Sequence, residues 1–348
     1  MNYSKLLFLL LLLLTTPTSV LSEALPEKIK VGVLASLSGE WTVYGNPLVS
    51  GVELANNGEF ELIVEDIGTM SGRDNISAAQ RLIDIEKIDL AIVFAIDDAE
   101  VLFPIFNRKK IPMLVAWDSN HRIEEMGDYA FSAGYDTYQG GRTLADHFTK
   151  NLKVKRVGII GEDCAYNRIN RSGFVDRAKE LNLEIVLNEF IQIGEKDLKT
   201  SLLKLNKTKA EALLFLPVLP ETLFLGIKQK QQLNIKLPYA TNEILVNEPA
   251  VLRANGIISG CAIWIPDENS ESILKAYHEK TGRQVWNHGP LVVGYQTMEH
   301  LKAAVNANKA SSIHKKLLEY FGSTRRLKKR HTLWCLENGE LIEQTYLQ

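Results

Sequence analysis

Two adjacent carboxylates stand near the end of an apolar, strand-like run. Asp97 and Asp98 follow residues 89–95 (DLAIVFA), and paired carboxylates can act as general acid and general base. Catalysis would also require a nucleophile or a water-activating partner, and no such residue stands in a motif with the pair. The pair is therefore interpreted as a helix cap or as part of a binding site at the strand end.

The remaining reactive residue types are scattered along the chain. The seven histidines lie at no motif spacing from a cysteine or a carboxylate cluster. The sequence contains no GxSxG, HExxH, P-loop or strand-linked GxGxxG motif, and no CxxC pair that could hold a metal ion. We therefore expect a protein that is not an enzyme and that carries no metal and no cofactor.

The cysteines allow at most one disulfide. Cys164, Cys261 and Cys335 are too few, and odd in number, for a disulfide framework. Cys261 and Cys335 both lie in strand-like segments, which makes them the favoured pair. Three buried thiols that act as small apolar side chains are the alternative.

The composition is that of a folded globular protein. The chain has 348 residues, of which 45% are apolar and 24% charged, so disorder and a polytopic membrane protein are both excluded. Forty Lys and Arg residues balance 42 Asp and Glu residues. Because a protein that neutralises nucleic-acid phosphates needs a basic excess, we expect no nucleic-acid partner.

The first residues have the pattern of a secretory signal peptide. Lys5 precedes a fully apolar run over residues 6–14, and small residues follow. Nine apolar residues are too few to cross a bilayer, which needs about 20. We predict a signal peptide over residues 1–22, with cleavage after Ser22 or Ala24, and a soluble, exported mature protein.

Short apolar strands alternate with amphipathic helices along the rest of the chain, and the alternation occurs twice. Continuous apolar strands between helices are typical of parallel sheets covered on both faces. The pattern predicts an α/β fold with two doubly wound units and a cleft at the carboxyl ends of the strands. The predicted strands are residues 30–36, 61–65, 89–95, 112–116, 155–161, 184–187, 212–216 and 237–241; the predicted helices are residues 47–56, 75–86, 100–109, 172–181, 198–205, 223–231 and 295–307. A hairpin with an Asn-Gly turn is predicted at residues 331–346.

An ordered set of segments resembles the type I periplasmic solute-binding proteins, the family that includes leucine/isoleucine/valine-binding proteins. The resemblance implies two lobes, each a mainly parallel sheet flanked by helices, joined by three hinge crossovers. It places lobe one at residues 28–134 and 265–322 and lobe two at residues 135–264 and 323–348. The segments include KVGVLASLSGEWTVYG at residues 30–45, GYDTYQG at 134–140, KRVGIIGED at 155–163 and IGEKDL at 193–198.

The resemblance also implies a ligand site in the cleft. Asp136 and Glu243 match the family positions that pair with the ammonium group of a ligand. Tyr44 and Tyr166 match aromatic residues that line the ligand from lobe one and lobe two. The alternative for Asp136 is a cap on the helix that follows it.

The sequence departs from the family where a ligand carboxylate is normally held. Asp97 and Asp98 stand where hydroxyls are expected, and these carboxylates would repel an anionic group. After the next strand Ser119 fits the family pattern, whereas Trp117 and Asp118 do not. Together with Asp136 and Glu243, these acidic residues are expected to converge on the cleft, with Trp117 facing an apolar part of the ligand or serving only in packing.

The predicted function is solute capture in the periplasm. The protein is expected to bind a small amine-containing or amino-acid-like ligand and to deliver it, as a monomer, to the membrane permease of an ABC importer. The alternative is a soluble sensor subunit, or a partner-binding relative with an altered ligand site.

Overall fold

Two β-sheets with helices on both faces form the protein. The computed structural model describes residues 28–344 except 40, 69–72, 120–121, 248–255, 258, 265–268, 286–287, 308–311 and 328–331. The predicted signal peptide lies outside the described residues and stays a prediction. In the described part of the chain, no helix combines the length and the apolar character that a membrane span requires.

The first sheet has five parallel strands in the order β2-β1-β3-β4-β6. Its central strands are completely buried, because helices cover both faces. The outer strand β2 begins and ends on acidic residues, which is typical of a sheet edge. The strands are β1 (Lys30–Ala35), β2 (Glu61–Asp66), β3 (Leu90–Val93), β4 (Met113–Val115) and β6 (Ala130–Ser132).

The helices of the first sheet come from both ends of the sequence. They are α1 (Thr42–Asn56), α2 (Arg73–Arg81), continued by a π-helical turn (Leu82–Glu86), α3 (Ile96–Lys109), α10 (His288–Ala307) and α11 (Ile313–Phe321). Helices α1 and α10 touch backbone to backbone. A Cβ atom at Gly51 would lie 2.0 Å from the Leu291 carbonyl oxygen, and one at Gly294 would lie 2.2 Å from that of Leu48, so only glycine fits at this crossing.

The second sheet has seven strands in the order β14-β13-β12-β11-β10-β8-β9. Strands β8 to β12 are parallel, whereas β13 and β14 form an antiparallel hairpin at the edge. The strands are β8 (Arg156–Glu162), β9 (Glu184–Ile191), β10 (Ala212–Leu216), β11 (Tyr239–Thr241), β12 (Ser259–Trp264), β13 (Thr332–Glu337) and β14 (Glu340–Gln344). Asn338 and Gly339 turn the hairpin with positive φ angles of 52° and 83°, as the Asn-Gly signal predicted.

Helices again cover both faces of the second sheet. They are α4 (Thr137–Asp146), continued by a π-helical turn (His147–Asn151), α5 (Ala165–Glu180), α6 (Lys199–Asn206), α7 (Pro220–Gln232) and α8 (Ile244–Asn247). The next helix, α9 (Ser270–Thr281), packs against α10 of the first sheet. A short parallel pair is formed by β5 (Asp118–Ser119), which follows β4, and β7 (Tyr135–Asp136), which follows β6 and leads directly into α4. The assignment of chain segments to lobes stays a prediction.

The favoured disulfide is present. Cys261 on β12 and Cys335 on β13 are direct cross-strand neighbours, and they form a disulfide across 74 residues of sequence. Cys164 is free and buried. The bridge joins the parallel part of the second sheet to its antiparallel hairpin.

The α/β prediction is confirmed, whereas several helix starts differ from the prediction. Helix α3 begins at Ile96 instead of residue 100, because the Ile96 N–H donates a hydrogen bond of 2.9 Å to the Asp118 carboxylate. Ala95 is the N-cap of this helix, and Asp97 and Asp98 lie inside its first turn. The interpretation of these two residues as caps of the helix that follows them is therefore wrong.

Candidate functional site

A small cavity lies between the two sheets, at the carboxyl ends of their strands. Its volume is about 50 Å³. Residues that follow β1, β3 and β4 contribute one wall, and residues that follow β8, β10 and β11 contribute the other. Such strand ends are where α/β proteins place their ligand sites. The lining residues are Trp41, Tyr44, Phe94, Ala95, Asp97, Trp117, Asp118, Tyr166, Val218, Glu243 and Ile244.

Aromatic rings form one continuous wall of the cavity. The ring centroids of Trp41 and Tyr44 are 5.7 Å apart, those of Tyr44 and Phe94 5.8 Å, and those of Phe94 and Trp117 5.5 Å. The Tyr44 hydroxyl donates a 2.8 Å hydrogen bond to the carbonyl of Val218 on the opposite side of the cavity. Burial raises the pKa of Tyr44, so its ring stays neutral. Neutral aromatic faces attract cations.

Glu243 is the central acidic group of the opposite wall. The residue is 6% exposed, and its carboxylate accepts hydrogen bonds from Trp117 Nε1 at 3.1 Å and from the Tyr166 hydroxyl at 2.5 Å. Burial raises the pKa of Glu243, although these hydrogen bonds partly oppose the rise. The contacts fix one carboxylate at the cavity between two aromatic side chains.

Asp118 offers a second carboxylate, and one of its oxygens is unsatisfied. The residue is completely buried. Its Oδ1 atom accepts from the Ile96 N–H, whereas Oδ2 has no hydrogen-bond partner among the described residues. Burial, followed by the nearby charge of Asp97, raises the pKa of Asp118 well above its usual value. A buried oxygen without a donor is costly, and a cationic ligand would relieve that cost.

Asp97 connects the first sheet to the second. From the first turn of α3 its carboxylate accepts hydrogen bonds from the backbone N–H groups of Ala165 at 2.5 Å and Tyr166 at 3.0 Å. These N–H groups form the N-terminus of α5, where the helix dipole favours a negative charge. Burial still raises the pKa of Asp97. The carboxylate caps a helix 68 residues away instead of its own.

The structure brings together five of the eight predicted site residues. Tyr44, Asp97, Trp117, Tyr166 and Glu243 all line the cavity. The sequence had also pointed to Asp118, which lines it as well. Convergence of acidic side chains at the cavity is therefore seen for Asp97, Asp118 and Glu243.

Two predicted acidic residues point elsewhere. Asp98 is buried between α3 and α2, where it accepts a 3.0 Å hydrogen bond from Asn75 Nδ2, and burial raises its pKa to about 7. Asp136 caps α4 through the Gln139 N–H at 3.0 Å and forms an ion pair with Arg326. Neither residue lines the cavity, and a ligand contact for either stays a prediction.

Three residues remain: the predicted site residue Ser119, and Trp41 and Phe94, which line the cavity. Ser119 lies in β5, where its backbone pairs with Asp136, and its side chain is outside the described residues. Trp41 is the N-cap residue of α1 and lies three residues before Tyr44, whose ring it contacts. Nothing in the sequence marks Phe94 as a site residue, because it is the penultimate residue of an apolar run and resembles a core residue.

One group of potential metal ligands lies in the second sheet. Among the described residues, His147 and the sulfur atoms of Cys261 and Cys335 lie within 4.8 Å of one another. The two sulfur atoms are bonded to each other in the disulfide, and thiolates are the form that binds metals. The oxidised protein therefore offers only the histidine.

Replacing Asp97 by alanine is expected to loosen the contact between the two sheets in the ligand-free protein. The change removes two charge-assisted hydrogen bonds, which together are worth about 3 kcal/mol toward the closed form. Small-angle X-ray scattering should give a larger radius of gyration for this variant. Asp163→Ala is the matched control, since Asp163 precedes the same helix but pairs with Arg168 of that helix at 2.8 Å. Equal radii for the two variants would contradict the expectation.

Comparisons with known proteins identify a family and a fold. A family model described as periplasmic binding protein matches residues 28–319. No curated protein sequence matches the chain. Similar solved structures include the leucine-binding protein LivK from Thermotoga maritima, with a TM-score of 0.78 and 18% identity over 91% of this chain and 98% of that one.

Two further structures show how diverse the similar proteins are. LivJ from Streptococcus pneumoniae, in complex with isoleucine, has a TM-score of 0.73 and 16% identity over 91% of this chain and 100% of that one. A solute-binding protein from Rhodopseudomonas palustris HaA2, in complex with p-hydroxybenzoic acid, has a TM-score of 0.77 and 16% identity over 91% of this chain and 96% of that one. At these identities the likeness establishes the two-lobed fold and not the ligand.

Proposed function

The chain belongs to the periplasmic binding protein family, and from this premise we propose that it captures a small amine-containing ligand between its two lobes. The ligand is delivered to the permease of an ABC importer, and the protein works in the periplasm as a monomer. Support for transport comes from the family match and from the similar structures, one of which is the substrate-binding protein LivJ of a branched-chain amino acid transporter.

The observation that carries the ligand class is the charge of the cavity. Asp97, Asp118 and Glu243 line it, and none of its described lining residues is a lysine, an arginine or a histidine. An anionic ligand would meet repulsion from each of these carboxylates that is ionised, without a compensating cation. An ammonium group would instead form charge-assisted hydrogen bonds and cation–π contacts.

The proposed ligand therefore differs from those in two of the similar structures. Those structures are complexes with isoleucine and p-hydroxybenzoic acid, and both compounds carry a carboxylate. An amino-acid-like ligand remains compatible with the cavity of this protein only if its carboxylate lies away from Asp97 and Asp118. A simple amine or a diamine meets the same carboxylates without that restriction.

The cavity also implies that the lobes move. Side chains from both sheets enclose it, and the Tyr44–Val218, Trp117–Glu243 and Asp97–Tyr166 hydrogen bonds cross it. A ligand larger than the present cavity enters only when these contacts separate. Hinged closure of two domains around a ligand is the corresponding motion.

A thermal-shift panel of amines, amino acids and aromatic carboxylates tests the proposed ligand class. A ligand at 100 times its Kd stabilises the folded state by about 2.7 kcal/mol. We expect amines to raise the melting temperature, and leucine, valine and p-hydroxybenzoate to leave it unchanged. Stabilisation by the carboxylates without stabilisation by any amine would overturn the proposal.

Amine binding is expected to weaken as the pH falls. Burial raises the pKa values of Asp97, Asp118 and Glu243 in the ligand-free protein, so these groups take up protons on acidification. A bound cation favours the charged carboxylates and lowers their pKa values, and binding therefore releases protons. Each proton released weakens binding about tenfold per pH unit below the raised pKa.

Calorimetric titration between pH 5 and pH 8, in two buffers of different ionisation enthalpy, measures this proton release. We expect the Kd to decrease toward pH 8 and the apparent enthalpy to depend on the buffer. Asp136→Asn is the control, because its carboxylate is paired with Arg326 away from the cavity, and this variant should keep the same pH profile. Tighter binding at pH 5 than at pH 8 would contradict the prediction.

A second candidate function is a sensor or partner-binding protein with an altered site. The observation that favours it is that the protein's own side chains already connect the two lobes, with Asp97 seated on the N-terminus of α5. A permanently closed form would present a fixed surface to a partner. Scattering separates the two functions: a transport protein contracts when an amine is added, and a permanently closed protein does not.

A further inference from the structure

A second, larger pocket lies at the end of the second sheet that is opposite to the cleft. Its volume is about 950 Å³, which is within the usual range of small-molecule sites. Leu237, Pro238 and Tyr239 line it at the amino end of β11, whereas Glu243 and the cleft lie beyond the carboxyl end of the same strand. The pocket is therefore separate from the proposed amine site.

The charge of this pocket is opposite to that of the cleft. Four lysines line it, namely Lys150, Lys153, Lys230 and Lys236, and Glu337 is the single carboxylate among its described lining residues. Lys150 also pairs with Asp146 at 3.3 Å. The remaining positive charge favours an anionic occupant.

Lys230 is the most informative of these lysines. It is only 9% exposed, and its ammonium group has neither a carboxylate nor a hydrogen-bond partner in the described part of the chain. Its Nζ atom lies 5.6 Å from the centroid of the Tyr239 ring. Because the Lys230 side chain is largely buried and its charge has no carboxylate beside it, an anion at this position would be stabilising.

A buried histidine on the same pocket also lacks partners. His147 is 2% exposed, and neither Nδ1 nor Nε2 has a hydrogen-bond partner among the described residues. The Cys261–Cys335 disulfide lies beside it, and Leu336 and Tyr239 add apolar surface. The lining thus combines unsatisfied donors with an apolar floor.

We propose that this pocket binds an organic anion, whose carboxylate, sulfonate or phosphate group contacts Lys230 and whose apolar body lies against Tyr239 and the disulfide. The ligand class is opposite in charge to that of the cleft. The site does not depend on the proposed transport function, because it uses no residue of the cleft.

Titration calorimetry with 1-naphthalenesulfonate tests the proposal, with 1-naphthylmethylamine as the cation of similar shape and inorganic sulfate as the anion without an apolar body. We expect the sulfonate to bind with a Kd below about 1 mM and both comparison compounds to bind at least about tenfold more weakly. The Glu243→Gln variant should bind the sulfonate as the unchanged protein does. Equal binding of the amine, or no detectable binding of the sulfonate, would overturn the proposal.

Lys230→Met locates the site. The methionine keeps an apolar side chain of similar length and removes the charge, so we expect sulfonate binding to weaken about tenfold or more. Lys204→Met is the control, because Lys204 pairs with Glu189 at 2.8 Å outside the pocket. The exposed Lys236→Gln variant should weaken binding severalfold, and it keeps the test decisive if Lys230→Met does not fold. Unchanged affinity in the lysine variants of the pocket would show that the sulfonate binds elsewhere.

Discussion

Glu243→Gln is expected to weaken amine binding by about 30- to 100-fold. Glutamine keeps the size of the side chain and one acceptor oxygen, but it removes the negative charge that Trp117 and Tyr166 hold at the cavity. Hydrogen bonds to charged groups are worth about 1.5–3 kcal/mol, which corresponds to a factor of about 10 to 150 in Kd, and the expected loss lies in the middle of that range. Calorimetric titration with the best amine of the thermal-shift panel measures the loss.

Asp136→Asn is the matched control for this experiment. The family resemblance assigns the ligand ammonium to both Asp136 and Glu243, whereas Arg326 occupies the Asp136 carboxylate in the structure. Asparagine keeps the cap on α4, so we expect amine affinity to change less than about twofold. An equal loss in the two variants would return Asp136 to the ligand site, and an unchanged affinity in Glu243→Gln would remove Glu243 from it.

Removal of the disulfide is expected to have the largest effect on stability. The Cys261–Cys335 bridge closes a loop of 74 residues, and in the chain-entropy description a loop of this length contributes about 4 kcal/mol. The double variant Cys261→Ala/Cys335→Ala should therefore have a free energy of unfolding lower by about that amount. Urea unfolding followed by circular dichroism measures the difference.

Cys164→Ser is the control for the disulfide variant. Cys164 is a free thiol whose sulfur accepts a 3.4 Å hydrogen bond from the Asn167 N–H at the start of α5. Serine can accept the same bond, so the expected loss is about 1 kcal/mol or less. Equal stability of the double variant and the unchanged protein would show that the bridge adds nothing to the folded state.

The parts of the fold that depend on local pattern could be predicted from the sequence. Leu90–Val93 is an uninterrupted apolar run, and the structure buries all four residues in the middle of the first sheet. The Asn338-Gly339 turn specified the edge hairpin because its backbone needs positive φ angles. These signals lie within a few residues of the element that they determine.

The start of α3 and the partner of Asp97 could not be predicted in this way. Helix α3 begins at Ile96 because Asp118, 22 residues later, accepts its N–H. Asp97 caps α5 through Ala165, 68 residues later. Sequence neighbours alone assign a carboxylate to the helix that follows it. Only the packing of the two lobes brings the N-terminus of α5 to the Asp97 carboxylate.

Long-range contacts also decided which acidic residues line the cavity. Asp97, Asp118 and Glu243 meet at the cavity, as the sequence and the family resemblance together suggested. Asp136 has Arg326 as its partner, 190 residues away, and no local signal connects the two residues. The charge of the cavity therefore rests on fewer residues than the sequence suggested, although its sign is the same.

The most direct test of the proposed ligand class compares an amine with a carboxylate of the same shape. One pair is 2-phenylethylamine and 3-phenylpropanoate, and the smaller pair is butylamine and pentanoate. Calorimetric titration of the protein with each compound at pH 8 gives its Kd, and the comparison within a pair separates the effect of ligand charge from that of ligand size. We predict that at least one amine binds about tenfold or more tightly than its matched carboxylate, and that Glu243→Gln abolishes the difference. Tighter binding of both carboxylates than of their matched amines would contradict a cation-binding cleft.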